Sequence, residues 1–394
     1  MFDADKLQIE GNTSLEVVRP IYSRPPDLRL LAQLEEFDDG GIVHILARDA
    51  FIVLPGCSLI HSLFNEFVRG HVSKAQVIDE TLQILQNVLE SAETSPAQRE
   101  AVLRLLLRST ARFSALPPSY YIEHVVCTLL EPYRAGGFAD VYRATWNHQN
   151  VAIKVIRILS SDDCNPLQAA FLREIVLSQH AKHPFIQSFH GVDRGTLAPR
   201  LGLVSPWQRN GNIMETMERL IRDNVPLHQI CQGLEYLHQM GIAHGDLRGA
   251  NILVDDNLNP RLADFGLSIL ADALTRTHDS SRLGLAVRWS SPELLSGVQL
   301  RPNFPSDIFA FGCTCIELYG QRKPFGHLAN DAQVIFHIAR GAQHERPRTG
   351  QTMPDNLWKL VEQCLQQDPS QRPVIAEVVH SMEAIVRALD HGAP

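Results

Sequence analysis

The 394-residue chain is poor in lysine, with six, and its 36 basic side chains face 44 acidic ones, a formal net charge of −8. That balance argues against a nucleic-acid binder or a polybasic membrane protein. Its seven cysteines (Cys57, Cys127, Cys164, Cys231, Cys313, Cys315, Cys364) include no CxxC pair. A disulfide framework or zinc cluster is thereby disfavoured, and buried free thiols inside the cell are expected. No apolar run is long enough for a bilayer: the best stretch, Ile42 to Phe67, is broken by His44, Arg48, Asp49, Pro55, His61 and Asn65. The opening MFDADKLQIE lacks the basic and apolar regions of a signal peptide and the glycine needed for N-myristoylation. What is left is a soluble, cytoplasmic, globular protein, with 44% hydrophobic residues to build two or three domains.

The first 120 residues read as helices. Pro20, Pro25 and Pro26 break the lead-in. Asp27 is placed to cap a helix over Leu28–Phe37 ended by Gly40-Gly41, and Ser58 to cap Leu59–Arg69 ended by Gly70. Val77, Ile78, Leu82, Leu85, Val88 and Leu89 recur at helical spacing between Lys74 and Glu90. Ser95-Pro96-x-Gln98 supplies an N-cap, an N1 proline and a capping-box partner for a helix reaching about Phe113. On it, Arg104, Arg108 and Arg112 form an i, i+4 row, more often a solvated face than a docking stripe. Residues 1–120 are expected to be a small all-α region of unknown function, with a regulatory partner as the default guess.

After Pro117-Pro118 the pattern turns to short β-like runs. Tyr133 to Tyr142 places Gly136, Gly137, Phe138 and Ala139 between candidate strands, where backbone amides can close over phosphates. Paired glycines alone would as readily mark a plain hairpin. Val151-Ala152-Ile153-Lys154 then alternates as a strand ending in lysine. A helix with Asn165 as cap and Pro166 at its first turn carries Glu174, placed to pair with Lys154. The decisive run is His244-Gly245-Asp246-Leu247-Arg248-Gly249-Ala250-Asn251, then Ile252-Leu253-Val254, then Asp264-Phe265-Gly266. In that order these motifs resemble a eukaryotic protein kinase domain over about residues 125–388. Ser291-Pro292-Glu293 stands at the family's Ala-Pro-Glu, preceded by Arg288-Trp289. Asp307 matches the buried aspartate of the large C-lobe helix, and Arg372 the late arginine that pairs with Glu293. The HGDLRGAN loop, the LVSPW hinge and the GGFADVY turn resemble the tyrosine-kinase-like kinases of mushroom-forming fungi.

The resemblance implies an α+β bilobal fold preceded by a small all-α region. Its β-rich N-lobe of five strands spans about 125–208, the hinge Ser205–Asn210, and its helical C-lobe about 209–388. It also implies ATP and Mg²⁺, protein substrates with Ser/Thr favoured over Tyr, and a role in intracellular signal transduction. Asp246 then accepts or orients the substrate hydroxyl proton, while Asn251 and Asp264 hold Mg²⁺. Lys154, secured by Glu174, binds the α- and β-phosphates, and Arg248 stands near the γ-phosphate. Gly136, Gly137, Phe138 and Ala139 cover the phosphates, while Val141, Ala152 and Leu253 sandwich the adenine. Ser205 is the gatekeeper; the Pro206 carbonyl and Gln208 amide are the hinge partners of the base.

Four positions depart from the pattern. Arg134 and Ala139 replace the first and third loop glycines, which stiffens the loop and modestly weakens ATP binding. Gly245 replaces the arginine that usually pairs with a phosphorylated activation loop. Catalysis is therefore expected to survive phosphatase treatment of the pure protein despite Thr275, Thr277, Ser280 and Ser281; its abolition, read as phosphate incorporation, would refute this. Ala286 is neither the threonine of serine/threonine kinases nor the proline of tyrosine kinases. Ser178, one turn after Glu174, stands where a large apolar residue usually docks the helix. The competing readings are a pseudokinase scaffold and, more weakly, a small-molecule kinase. Against the first, Lys154, Glu174, Asp246, Asn251 and Asp264 are all present; against the second, so are Arg288-Trp289, Pro292-Glu293 and Arg372.

Overall fold

The structure is a computed structural model that describes residues 30–31, 33–34, 41–127, 131–135, 139–156, 164–220, 225–265, 286–348, 350 and 352–390. The chain divides into two compact units, Met1–Tyr121 and Ile122–Pro394. In the first, four helices are α1 (Ile42–Val53), α2 (Ser58–Val68), α3 (Lys74–Glu90) and α4 (Pro96–Phe113). The helix expected over Leu28–Phe37 lies largely outside the described residues; 30–31 and 33–34 are helical, with Leu30, Leu31 and Leu34 buried.

Helix α1 was not expected. Gly41, read as a helix end, is instead its N-cap, at a left-handed φ of 67° that glycine adopts without Cβ strain. Ser58 is not the cap of α2 either: the helix starts on it, and the N-cap is Cys57, without a side-chain bond. A complete capping box, Ser73 with Gln76, forms on α3, where none was expected; on α4 Ser95 Oγ accepts the Gln98 N–H at 3.3 Å as the N-cap, but Gln98 does not complete the expected box. Arg104, Arg108 and Arg112 are exposed, and Arg104 pairs with Glu100, as a solvated face requires. Behind α3, the buried Tyr120 donates its hydroxyl to Gln86 Oε1 at 2.6 Å. Tyr120→Phe is expected to destabilise this unit by about 1 kcal/mol, read from chemical denaturation.

The second unit begins with an antiparallel sheet of β1 (Val126–Cys127), β2 (Arg134–Ala135), β3 (Ala139–Trp146), β4 (Gln149–Ile156), β5 (Gly191–Asp193) and β6 (Gly202–Pro206). Strand order is β1-β3-β4-β6-β5, with β2 also on β3. Among the described residues six segments stand where five were expected, because Val126–Cys127 and Arg134–Ala135 pair separately with β3. Val126 faces Thr145 and Arg134 faces Val141, so eight residues on one side span four on the other. Asn147 and His148 turn β3 into β4 with φ of 48° and 62°, the two-residue turn that suits strand twist. Tyr142, Ala144, Val151, Ile153, Val155 and Val204 form the core beneath the sheet. Helix α5 (Cys164–His180) already includes Asn165, which is therefore not its cap.

A helical lobe follows: α6 (Ile213–Leu220), α7 (Val225–Gln239), the hairpin β7 (Ile252–Val254)–β8 (Pro260–Leu262), α8 (Pro292–Leu295), α9 (Phe304–Gly320), α10 (Asp331–Ala339), α11 (Asp355–Cys364) and α12 (Ile375–Asp390). Helix α9, apolar on all sides, is buried over nearly its whole length after an Asn303–Ser306 capping box. Cys231, Cys313, Cys315 and Cys364 are buried free thiols in this lobe. The result is a bilobal α+β fold. No described helix is long and apolar enough to cross a membrane.

Candidate active site

A cavity of about 490 Å³ lies between the two lobes. From the sheet, β3 contributes Ala139 and Val141 and β4 contributes Ala152 and Lys154; from below come Leu253 on β7, Asp246, Asn251 and Asp264. Strand alternation turns Ala152 and Lys154 to the same side as their cross-strand partners Arg143 and Val141.

Lys154 is the junction. Its Nζ lies 2.8 Å from Glu174 Oε1 on α5 and 2.9 Å from Asp264 Oδ1. Burial would lower the ammonium pKa, but the Asp264 and Glu174 carboxylates outweigh it and hold it above its ordinary value. Burial pushes Glu174 up against the pull of Lys154. It would raise Asp264 too, but the charge and hydrogen bond of Lys154 keep that carboxyl below its usual range. Helix α5 is thus docked through Glu174 although Ser178, which lines the cavity, gives it no apolar anchor.

Asp246 is fixed by its own loop. Asn251 Nδ2 donates to the Asp246 carbonyl at 2.8 Å and to its Oδ2 at 2.6 Å, while Arg248 Nε donates to Oδ2 at 3.2 Å. Burial raises the Asp246 carboxyl to about 6, against the opposing pull of Arg248 and Asn251. The loop is anchored on α9: Asp307 accepts the N–H groups of His244 at 2.8 Å and Gly245 at 2.9 Å. Asp264 sits at a φ of 59°, unusual for aspartate, and the following Phe265 packs edge-on to His244.

Where Ala286 offers no hydroxyl, another linkage ties this loop to the segment before Pro292. The Arg248 guanidinium lies 5.9 Å from the Trp289 ring centre. Trp289 Nε1 donates to Glu317 Oε2 at 2.9 Å, and the same oxygen accepts the Gly249 N–H at 2.8 Å. Arg372 grips Glu293 through two bonds of 2.7 and 2.8 Å, the pairing expected from sequence.

At the hinge, Ser205 and Pro206 end β6, and Gln208 follows at the cavity wall. The Pro206 carbonyl carries an unexpected partner, the side chain of Gln187, whose Nε2 donates to it at 2.9 Å. Arg134, at the place of the first loop glycine, pairs with Glu215 of α6, and both line the cavity. Gly136, Gly137 and Phe138 lie outside the described residues, as do Thr275, Thr277, Ser280 and Ser281. Sequence reasoning missed Gln187 and Glu317. The available signal for the first was a carboxamide in the mainly apolar run Phe185-Ile186-Gln187-Ser188-Phe189; for the second, a second acid besides Asp307 in a mainly apolar helix.

Fold and cleft together define a two-lobed protein of the kinase class. The family described as protein tyrosine and serine/threonine kinase matches residues 128–382, and the chain belongs to it. It is similar to a "Probable serine/threonine-protein kinase" of Dictyostelium discoideum, 30% identical over 256 residues. The match covers 64% of this chain and 27% of that relative.

Proposed function

We propose that residues 125–388 form an ATP-dependent protein kinase domain that phosphorylates serine and threonine in preference to tyrosine, in a signalling role. The observation that carries this is Lys154 held between Glu174 and Asp264, with Asp246 and Asn251 at the same cleft. The Ser/Thr preference rests on the Dictyostelium relative and on the motif likeness to tyrosine-kinase-like kinases, in particular those of mushroom-forming fungi. We further propose that residues 1–120, helical over much of their described part, serve a regulatory partner.

Val141, Ala152 and Leu253 bracket the base, and Lys154 neutralises the α- and β-phosphate oxygens. Asn251 and Asp264 supply oxygen donors alone, as Mg²⁺ requires, and Asn251 binds Asp246 through its nitrogen, which leaves its oxygen for the metal. Mg²⁺ held by Asn251 and Asp264 would supply neutralisation of the phosphate charge. A substrate hydroxyl oxygen attacks the γ-phosphorus as the bond to the ADP oxygen breaks, and the hydroxyl proton passes to Asp246. Arg248, on Asp246 itself, keeps a positive charge beside the transferring group.

This base works only when ionised. Because burial raises Asp246 to about 6, transfer is expected to fall tenfold per pH unit below that value and to level off above it. A kcat/KM profile without an acidic limb between pH 5 and 7 would contradict the assignment. Phosphorylation of a peptide array by the full chain tests activity and hydroxyl preference together. Labelling of serine and threonine peptides is expected; labelling confined to tyrosine would reverse the preference.

A further inference from the structure

Tyr133 and Arg134 stand at the rim of the cleft, and neither has a part in the roles above. Strand β2, which carries Arg134, leads directly into Gly136 and Gly137. The pairs Arg134–Val141 and Ala135–Asp140 hang it on β3, so it belongs to the sheet that roofs the cleft. Its side chains nonetheless reach the opposite wall. Arg134 Nη2 pairs with Glu215 Oε1 of α6, and the Tyr133 ring meets the Trp207 ring of the hinge edge-on, with centres 4.8 Å apart. All four residues line the cavity.

Glu215 is set for this contact by its own surroundings. A Cβ on Gly211 would collide with the Glu215 carboxylate, so a glycine at φ 67° leaves the space that the carboxylate fills. Asn212 Nδ2 donates to Glu215 Oε1 at 3.2 Å, and Asn212 Oδ1 accepts the Glu215 N–H at 3.3 Å. Asn212 is itself buried and bridges Leu253 of β7, while the Gly211 carbonyl accepts the Val254 N–H at 3.0 Å. The carboxylate is thereby fixed to the floor of the cleft, and Arg134 brings the roof to it. Two adjacent residues span the rim, one by charge and one by ring packing. While both contacts hold, the two walls touch there and a nucleotide cannot pass between them.

We propose that Tyr133 and Arg134 form a clasp with Trp207 and Glu215 that sets the rate at which nucleotide enters and leaves the cleft. This rests on the ATP reading above. Neither contact involves the nucleotide, so the clasp slows entry and exit alike and leaves affinity nearly unchanged. Stopped-flow mixing of the full chain with rising Mg·ADP, followed by tryptophan fluorescence, gives the association rate as a slope and the dissociation rate as an intercept. Arg134→Gln and Glu215→Gln are each expected to raise both rates about threefold, and the double variant no further, because they remove one shared contact. Salt at about 0.5 M is expected to bring wild type up to these variants, since it screens a half-exposed pair. Tyr133→Ala is expected to raise both rates about fivefold, with or without salt. Wild-type rates in all three single variants, or a dissociation rate that rises while association stays fixed, would overturn the clasp. Failure of wild type to bind Mg·ADP at all would overturn the nucleotide reading itself.

Discussion

Asp246→Asn is expected to lower phosphate transfer by about 10²–10⁴-fold while Mg·ATP affinity changes by less than about threefold. Asparagine keeps the size of the side chain and one oxygen for Asn251 and Arg248, which hold Asp246 at 2.6 and 3.2 Å. What it loses is basicity, so the hydroxyl proton has no acceptor in the transition state. The nucleotide contacts proposed for Lys154 and the hinge involve other residues, so the loss belongs to kcat. Autophosphorylation and peptide phosphorylation of wild type beside the variant measure it. Equal incorporation in both would remove Asp246 from the chemistry; incorporation by neither, with ATP still bound, would establish the pseudokinase alternative.

The second large effect concerns stability. Arg372→Met is expected to cost the kinase unit about 3–5 kcal/mol, because it strands a largely buried carboxylate without its cation. Arg372 is 6% exposed and also donates to the carbonyls of Gln366 at 2.8 Å and Pro305 at 2.9 Å, so one side chain binds three stretches of the helical lobe. Burial would raise the Glu293 carboxyl, but the hydrogen bond from Arg372 keeps it below its ordinary value. A depressed carboxyl stabilises at neutral pH, and that share is lost as pH falls through its folded pKa. Urea denaturation at pH 7 reads the loss, and Glu293→Gln combined with Arg372→Met should recover part of it. A single variant within 1 kcal/mol of wild type would show the pair to be incidental.

The site was legible where chemistry restricts residue identity. Lys154, Glu174, Asp246, Asn251 and Asp264 come from four separate stretches of sequence, and the fold brings them to one cleft. Helices α3 and α4 were equally legible, because apolar spacing and serine caps act locally. Legibility ended where a position serves two neighbours or makes a distant contact. Gly41 can end one helix as readily as start another, and only the packing of α1 decides. The split edge strand depends on how β1 and β2 each register on β3, which leaves no periodicity in so few residues. Gln187 and Glu317 find their partners 19 to 68 residues away, beyond the reach of any spacing rule.

Glu317 has a geometric consequence. Two segments of the helical lobe, the loop at Gly249 and the stretch at Trp289, are referenced to one oxygen atom on a buried helix. A Cβ at Gly249 would come within 2.7 Å of Met214 and 3.1 Å of that oxygen, so only glycine fits there without the neighbours giving way. The two segments therefore share an origin of coordinates: a shift of α9 carries both, and their separation is preserved. The relative placement of the two segments is in this way vulnerable at a single carboxylate.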